Sequence, residues 1–278
     1  MRSFVLDVIT RRLCTVNYTA QRVNESTEQP IPQSAGEPVV KRPILDLALY
    51  VLVFAAFVGV SVLIATLKIQ SPLLRLTSAL VCNIVIIGGG ALLVNALRGT
   101  FSLRASGLWP VRIDWSWIVI ALGLAVVILP LRVAVGLIVA QLFEGGLASV
   151  QRRSDLLMGG AEFNALTAAI SLIGAGVLAP IAEELLFRGG IFSFFRSRLP
   201  LWPAAVLSGA LFALGHADSA AVVAASFGIG VANAWLFDKS KTLWTPIFVH
   251  IANNSAAVVL LQLVLLLKPY LPTAVPGG

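Results

Sequence analysis

Ala179-Pro180-Ile181-Ala182-Glu183-Glu184-Leu185-Leu186-Phe187-Arg188-Gly189-Gly190 sets two glutamates and an arginine inside a run, 163–195, that is otherwise largely apolar. A helix needs only about 20 apolar residues to cross a bilayer, so this run is long enough to do so. Ionised groups in hydrocarbon cost roughly 2.5–3.5 kcal/mol each on insertion scales, and they persist mainly where they pair or act. Glu184 and Arg188 stand four apart, share a helix face and neutralise each other. Glu183 lies about 100° round the helix and has no partner in the local sequence. The stretch therefore predicts a membrane helix with one spare carboxylate.

The rest of the chain agrees with a membrane setting. Of 278 residues 58% are apolar and 12% charged, and the mean hydropathy is +0.92. A soluble domain carries about 25% charge. The expected fold class is all-α, a polytopic bundle of membrane helices. The net charge of +7 comes mostly from polar gaps between apolar runs, which is an orientation signal and argues against nucleic acid as a partner. Cys14 and Cys82 are too few and too poorly spaced for a disulfide framework or a metal cluster, and Cys82 reads as a small packing residue. The two histidines, His216 and His250, both fall in apolar runs, where a polar ring is costly and functional weight rises.

Residues 1–43 are polar and read as a solvated, flexible N-terminal tail, in which 1–13 are either disordered or a short helix on the membrane surface; residues 44–278 form the membrane domain. Seven apolar runs follow, at about 44–67, 76–97, 116–143, 163–195, 201–216, 219–237 and 242–267, or eight if the third or fourth is broken. Gly88-Gly89-Gly90 allows close helix approach or a kink, and so do the stripes Ala205, Gly209, Ala213 and Ala224, Gly228, Ala232. Pro130 bends the third run, where Arg132 either snorkels or pairs inside the bundle. Pro180 frees a carbonyl and bends the fourth run near Glu183. With seven spans, fourteen Lys or Arg fall on the side of the N-terminal tail and five on the other, which places the tail in the cytoplasm and the C-terminus outside.

Depth then follows from about 1.5 Å of rise per residue. Glu183 lies roughly 18 Å from the inner face, His216 roughly 20 Å and His250 roughly 12 Å, with Asn254 one turn deeper. Three helices thus present polar groups at similar depth, which favours a single site. Phe212 and His216 share a helix face at i,i+4, as do His250 and Asn254.

These residues resemble the CAAX prenyl protease and bacteriocin-processing family of intramembrane proteases, also called the Abi family. Its motifs EExxxR, FxxxH and HxxxN match Glu183-Glu184-Leu185-Leu186-Phe187-Arg188, Phe212-Ala213-Leu214-Gly215-His216 and His250-Ile251-Ala252-Asn253-Asn254, in that order. The likeness lies within 163–267. It implies an endopeptidase acting on a membrane-associated peptide, prenylated or bacteriocin-like; the compact chain and its arginine-rich short gaps point to a bacterial plasma membrane. It implies Glu183 as the base that activates water, His216 as its partner, and His250 with Asn254 as oxyanion donors. Glu184, Arg188 and Phe212 then support the site. The residues agree, since a desolvated carboxylate is a better proton acceptor and donors in a dry site stabilise an oxyanion by about 3–4 kcal/mol each.

Zinc held by Glu183, His216 and His250 is the alternative chemistry. The absence of HExxH and the presence of Asn254, a poor zinc ligand, favour the metal-free form with no cofactor. Two other classes share the polar pattern: a transporter or proton relay, disfavoured because no inverted repeat is visible, and a non-catalytic membrane scaffold.

Overall fold

Each of the seven apolar runs forms a helix in the computed structural model, which describes residues 43–67, 69–99, 108, 115–143, 164–217 and 219–267. In chain order they are α1 (Ile44–Thr66), α2 (Pro72–Arg98), α3 (Trp115–Phe143), α4 (Ala165–Arg196), α5 (Leu201–Leu214), α6 (Ala220–Ser240) and α7 (Trp244–Leu267). Six are long and apolar enough to cross a membrane. The seventh, α5, has 14 residues and so reaches only about 21 Å, short of a hydrocarbon core of about 30 Å. No strand occurs among the described residues, and neither long run is broken into an eighth span. The polar tail up to residue 42 and the basic gaps at 100–107, 109–114 and 144–163 lie outside the described residues.

Local chemistry sets the helix starts. Ser71 accepts from the Leu74 amide with Pro72 in the first turn, Asn164 accepts from the Leu166 and Thr167 amides, and Ser219 accepts from the Val222 amide. α1 and α3 turn most of their apolar side chains outward, as helices against lipid do; Val126 is 74% exposed.

Lipid is as apolar as leucine, so the helices associate through small residues and internal polar contacts. A Cβ on Gly88 of α2 would stand 3.0 Å from Ala182 Cβ of α4, and one on Gly190 of α4 would stand 2.8 Å from the Tyr50 ring of α1. α5 meets α6 backbone to backbone, a Cβ on Gly230 falling 2.9 Å from Gly209 Cα. The α5 stripe through Gly209 is thus used as expected. The α6 stripe is not: Gly228 faces open space, and the close seam runs through Gly230, two residues on. Spacing alone marked a set of small residues, but the face that α6 turns to α5 was fixed by where α5 sits.

Three stretches are wound as π-helix: Asn83–Gly89 in α2, and Leu172–Leu178 and Leu185–Phe192 in α4. Such wide turns gather at functional sites, and here two of them flank the glutamates. Pro180 explains how one is used. The Ala179 amide donates to the Gly174 carbonyl, five residues back. Continuing that pattern, the next carbonyl, Ala175, would need the amide that Pro180 lacks. It instead accepts from Asn254 Nδ2 of α7 at 3.3 Å, and the neighbouring Gly176 carbonyl accepts from Ser255 Oγ at 3.2 Å. A missing donor in α4 thus becomes the contact that seats α7 beside the glutamates.

Candidate active site

Glu183, Glu184 and Arg188 are all buried, and Arg188 is the largest fully buried side chain described. Glu184 is the hub. Its Oε1 accepts from His250 Nδ1 at 2.8 Å and from Asn233 Nδ2 at 2.9 Å. Its Oε2 lies 3.1 Å from Arg188 Nε, an ion pair by distance although off the hydrogen-bond axis. Arg188 Nη2 donates to the Gly230 carbonyl at 3.0 Å, and its guanidinium lies 4.8 Å from the centre of the Phe212 ring. The expected Glu184–Arg188 brace is therefore present, and it holds a histidine as well.

Glu183 has a different set of neighbours. Its Oε1 accepts from Asn83 Nδ2 of α2 at 2.9 Å. Its Oε2 is buried without a hydrogen bond and lies 3.6 Å from His250 Nε2. An ionised carboxylate only accepts, so the His250 proton sits on Nδ1, facing Glu184, and in the neutral ring Nε2 presents its lone pair towards Glu183. His250 thus bridges the two glutamates.

His216 stands apart from that contact. It falls in the turn just after α5, and its Nδ1 donates to the Phe212 carbonyl at 3.0 Å. It is not among the hydrogen-bond or ion-pair partners of Glu183, which are Asn83 and His250. Both nonetheless line one cavity of about 640 Å³, together with Asn83, Arg132, Phe212 and Asn254. Phe212 ties the histidines together: its ring centre is 4.7 Å from that of His216 and 5.5 Å, edge-on, from that of His250. Three of the four expected catalytic side chains, Glu183, His216 and Asn254, line the cavity, while His250 is buried against Glu183 and Phe212.

Two amides were not anticipated as site residues, Asn83 and Asn233. Each is a polar side chain within an apolar run, and Asn83 stands five residues before Gly88, where α2 approaches α4. The intramembrane amide was the available signal. Among the described residues no group of three His, Cys, Asp or Glu is placed to hold a metal ion. Glu183 Oε1 is engaged by Asn83 and His250 Nδ1 by Glu184, so no step below is routed through a metal.

Comparison with known proteins meets the geometry at this point. Residues 165–256 match the family profile of the Rce1-like type II CAAX prenyl endopeptidases. This segment is similar to that family over about a third of the chain. The Rce1-like segment holds Glu183, Glu184, Arg188, His216, His250 and Asn254, while Asn83 and Arg132 reach the cavity from outside it. The chain is also similar to "Putative membrane peptidase YdiL" of Bacillus subtilis (strain 168), at 29% identity over 91 residues. That match covers 33% of this chain and 37% of the relative, so the chain spans little more than a third of the relative's length. No solved structure gives a significant match.

Proposed function

We propose that the chain is an intramembrane endopeptidase that hydrolyses a peptide bond of a membrane-associated substrate, prenylated or bacteriocin-like. One observation carries the reading: Glu183 lines the cavity, and its Oε2, which has no hydrogen bond, lies 3.6 Å from the ring nitrogen of His250. The similarity of residues 165–256 to CAAX prenyl endopeptidases supports it.

In this mechanism Glu183 Oε2 takes one proton of a water as its oxygen attacks the substrate carbonyl carbon. His216, held by its bond to the Phe212 carbonyl, faces the same cavity and is the partner that orients the water for Glu183. Asn254 uses one amide hydrogen on Ala175 and has a second for the developing oxyanion, and the proton taken by Glu183 passes to His250 Nε2, 3.6 Å away, so that the ring donates to the same oxyanion before the proton goes back through Glu183. Glutamate then returns the proton to the leaving nitrogen as the C–N bond breaks. Asn83 holds Glu183 Oε1, which turns the free oxygen towards the reaction. The bilayer is that of a bacterial plasma membrane with the N-terminal tail cytoplasmic, a reading supported by the fourteen-to-five sorting of basic residues and the Bacillus relative.

The purified chain, reconstituted in liposomes with a farnesylated peptide, is expected to release a C-terminal fragment identifiable by mass spectrometry, with the rate unchanged by chelators. Asn254→Ala should lower kcat about a hundredfold, the usual effect of losing one oxyanion donor. Release of no fragment from any membrane-anchored peptide would remove the proposal. Asn83→Ala deletes a hydrogen bond to a charged group, typically about 1.5–3 kcal/mol, and is expected to cut kcat at least tenfold with KM steady. A change confined to KM would assign Asn83 to substrate binding instead.

A further inference from the structure

Arg132 is the charge in the cavity that this mechanism leaves unused. It sits in the interior of α3, about 26 Å from Trp115 and about 17 Å from Phe143 along the helix, too deep for a purely interfacial role. Its side chain lines the cavity with Glu183, Asn83 and Asn254, and its Nη1 is buried without a hydrogen-bond partner. No carboxylate among the described residues lies within ion-pair distance of it. Glu183 acts on it only through space. The other intramembrane carboxylate of the site, Glu184, is already committed to Arg188, His250 and Asn233. Arg75, the second arginine of the lining, turns to the Ile69 carbonyl at 3.2 Å.

The charge balance points the same way. Resting Glu183 offsets Arg132 across the cavity, but once Glu183 accepts a proton the guanidinium is left uncompensated in a low-dielectric site. A guanidinium presents a planar fork of donors that matches a carboxylate with two parallel hydrogen bonds. A peptide supplies such groups at its C-terminus and on acidic side chains. We propose that Arg132 binds a carboxylate of the substrate peptide and so fixes which bond comes to Glu183. This inference rests on the endopeptidase reading for its consequence, but the binding event can be measured without turnover.

The test uses the full chain carrying Glu183→Gln, with and without Arg132→Gln, in detergent. The probes are three fluorescent farnesylated peptides: one with a free C-terminal carboxylate, its carboxamide, and the carboxamide with an aspartate after the modified cysteine. The free acid is expected to bind about 10- to 100-fold more tightly than the carboxamide, as for a charged hydrogen-bonded pair, and Arg132→Gln should erase that preference while leaving carboxamide affinity unchanged. Tight binding restored by the aspartate alone would identify a side-chain carboxylate as the source. Equal affinity for all three peptides on the arginine-containing protein overturns the proposal without reference to any variant. So does an Arg132→Gln protein that weakens all three equally while melting at the parent temperature. If the preference holds but the wild-type protein cleaves none of the peptides, the endopeptidase reading falls and carboxylate binding by Arg132 stands.

Discussion

Glu183→Gln is expected to reduce kcat for peptide hydrolysis by about a thousandfold or more, with KM little changed and the fold intact. The substitution is nearly isosteric. The glutamine carbonyl oxygen can still accept from Asn83, so the contact between α2 and α4 survives. What disappears is the acceptor that takes the water proton, and general-base catalysis contributes about 10²- to 10⁴-fold. The new amide would also face His250 Nε2, which sits 3.6 Å from the present carboxylate oxygen, and would donate to it. That contact removes the ring's lone pair from the reaction, so the loss belongs at the upper end of the range. The measurement is single-turnover cleavage in liposomes beside a thermal melt. A variant that melts normally and keeps more than a tenth of the activity would show that Glu183 is not the base. Glu183→Asp provides the graded case: the carboxylate is retained but withdrawn by one methylene, and activity should fall between the two.

The sequence displayed the fold through apolar length and the core ion pair through spacing, because both depend on one helix at a time. Glu184 and Arg188 sit four apart and pair in the structure. Contacts between helices depend on rotation about each axis, which depth arithmetic does not supply. His216 was expected against Glu183 on the basis of similar depth. Instead α5 ends at Leu214, so His216 lies in the following turn and folds back on the Phe212 carbonyl, while His250 takes the place beside Glu183. Asn83 and Asn233 escaped notice for a related reason. A lone asparagine in an apolar run carries no periodic signature, and its partner lies 100 residues away for Asn83 and 49 for Asn233. The π-helical turns were equally illegible. Pro180 indicated a disturbed ladder but not that the orphaned Ala175 carbonyl would be claimed by Asn254.

Arg188→Met tests what the buried pair contributes. It leaves Glu184 facing only His250 and Asn233, with no compensating cation fixed beside it. Removing one partner of a buried pair typically costs about 3–5 kcal/mol, so the variant should lose a large share of its stability in a detergent melt. Glu184→Gln should be similarly costly, since it strands Arg188, which is wholly buried. The double variant Glu184→Gln/Arg188→Met has neither stranded charge and roughly conserves volume, so most of the stability should return. Activity should not return with it. In the proposed mechanism Glu184, which accepts from His250 Nδ1, also balances the charge of the ring when it carries a proton; a glutamine oxygen can accept the same hydrogen bond but cannot balance that charge. The double variant is thus expected to fold like the native protein yet hydrolyse at least a hundredfold more slowly. If it recovers both stability and rate, the glutamate–arginine pair is a structural brace alone and His250 needs no charged partner. If it recovers neither, the pair is required for helix assembly itself, and the chemistry assigned to Glu184 has to be given up.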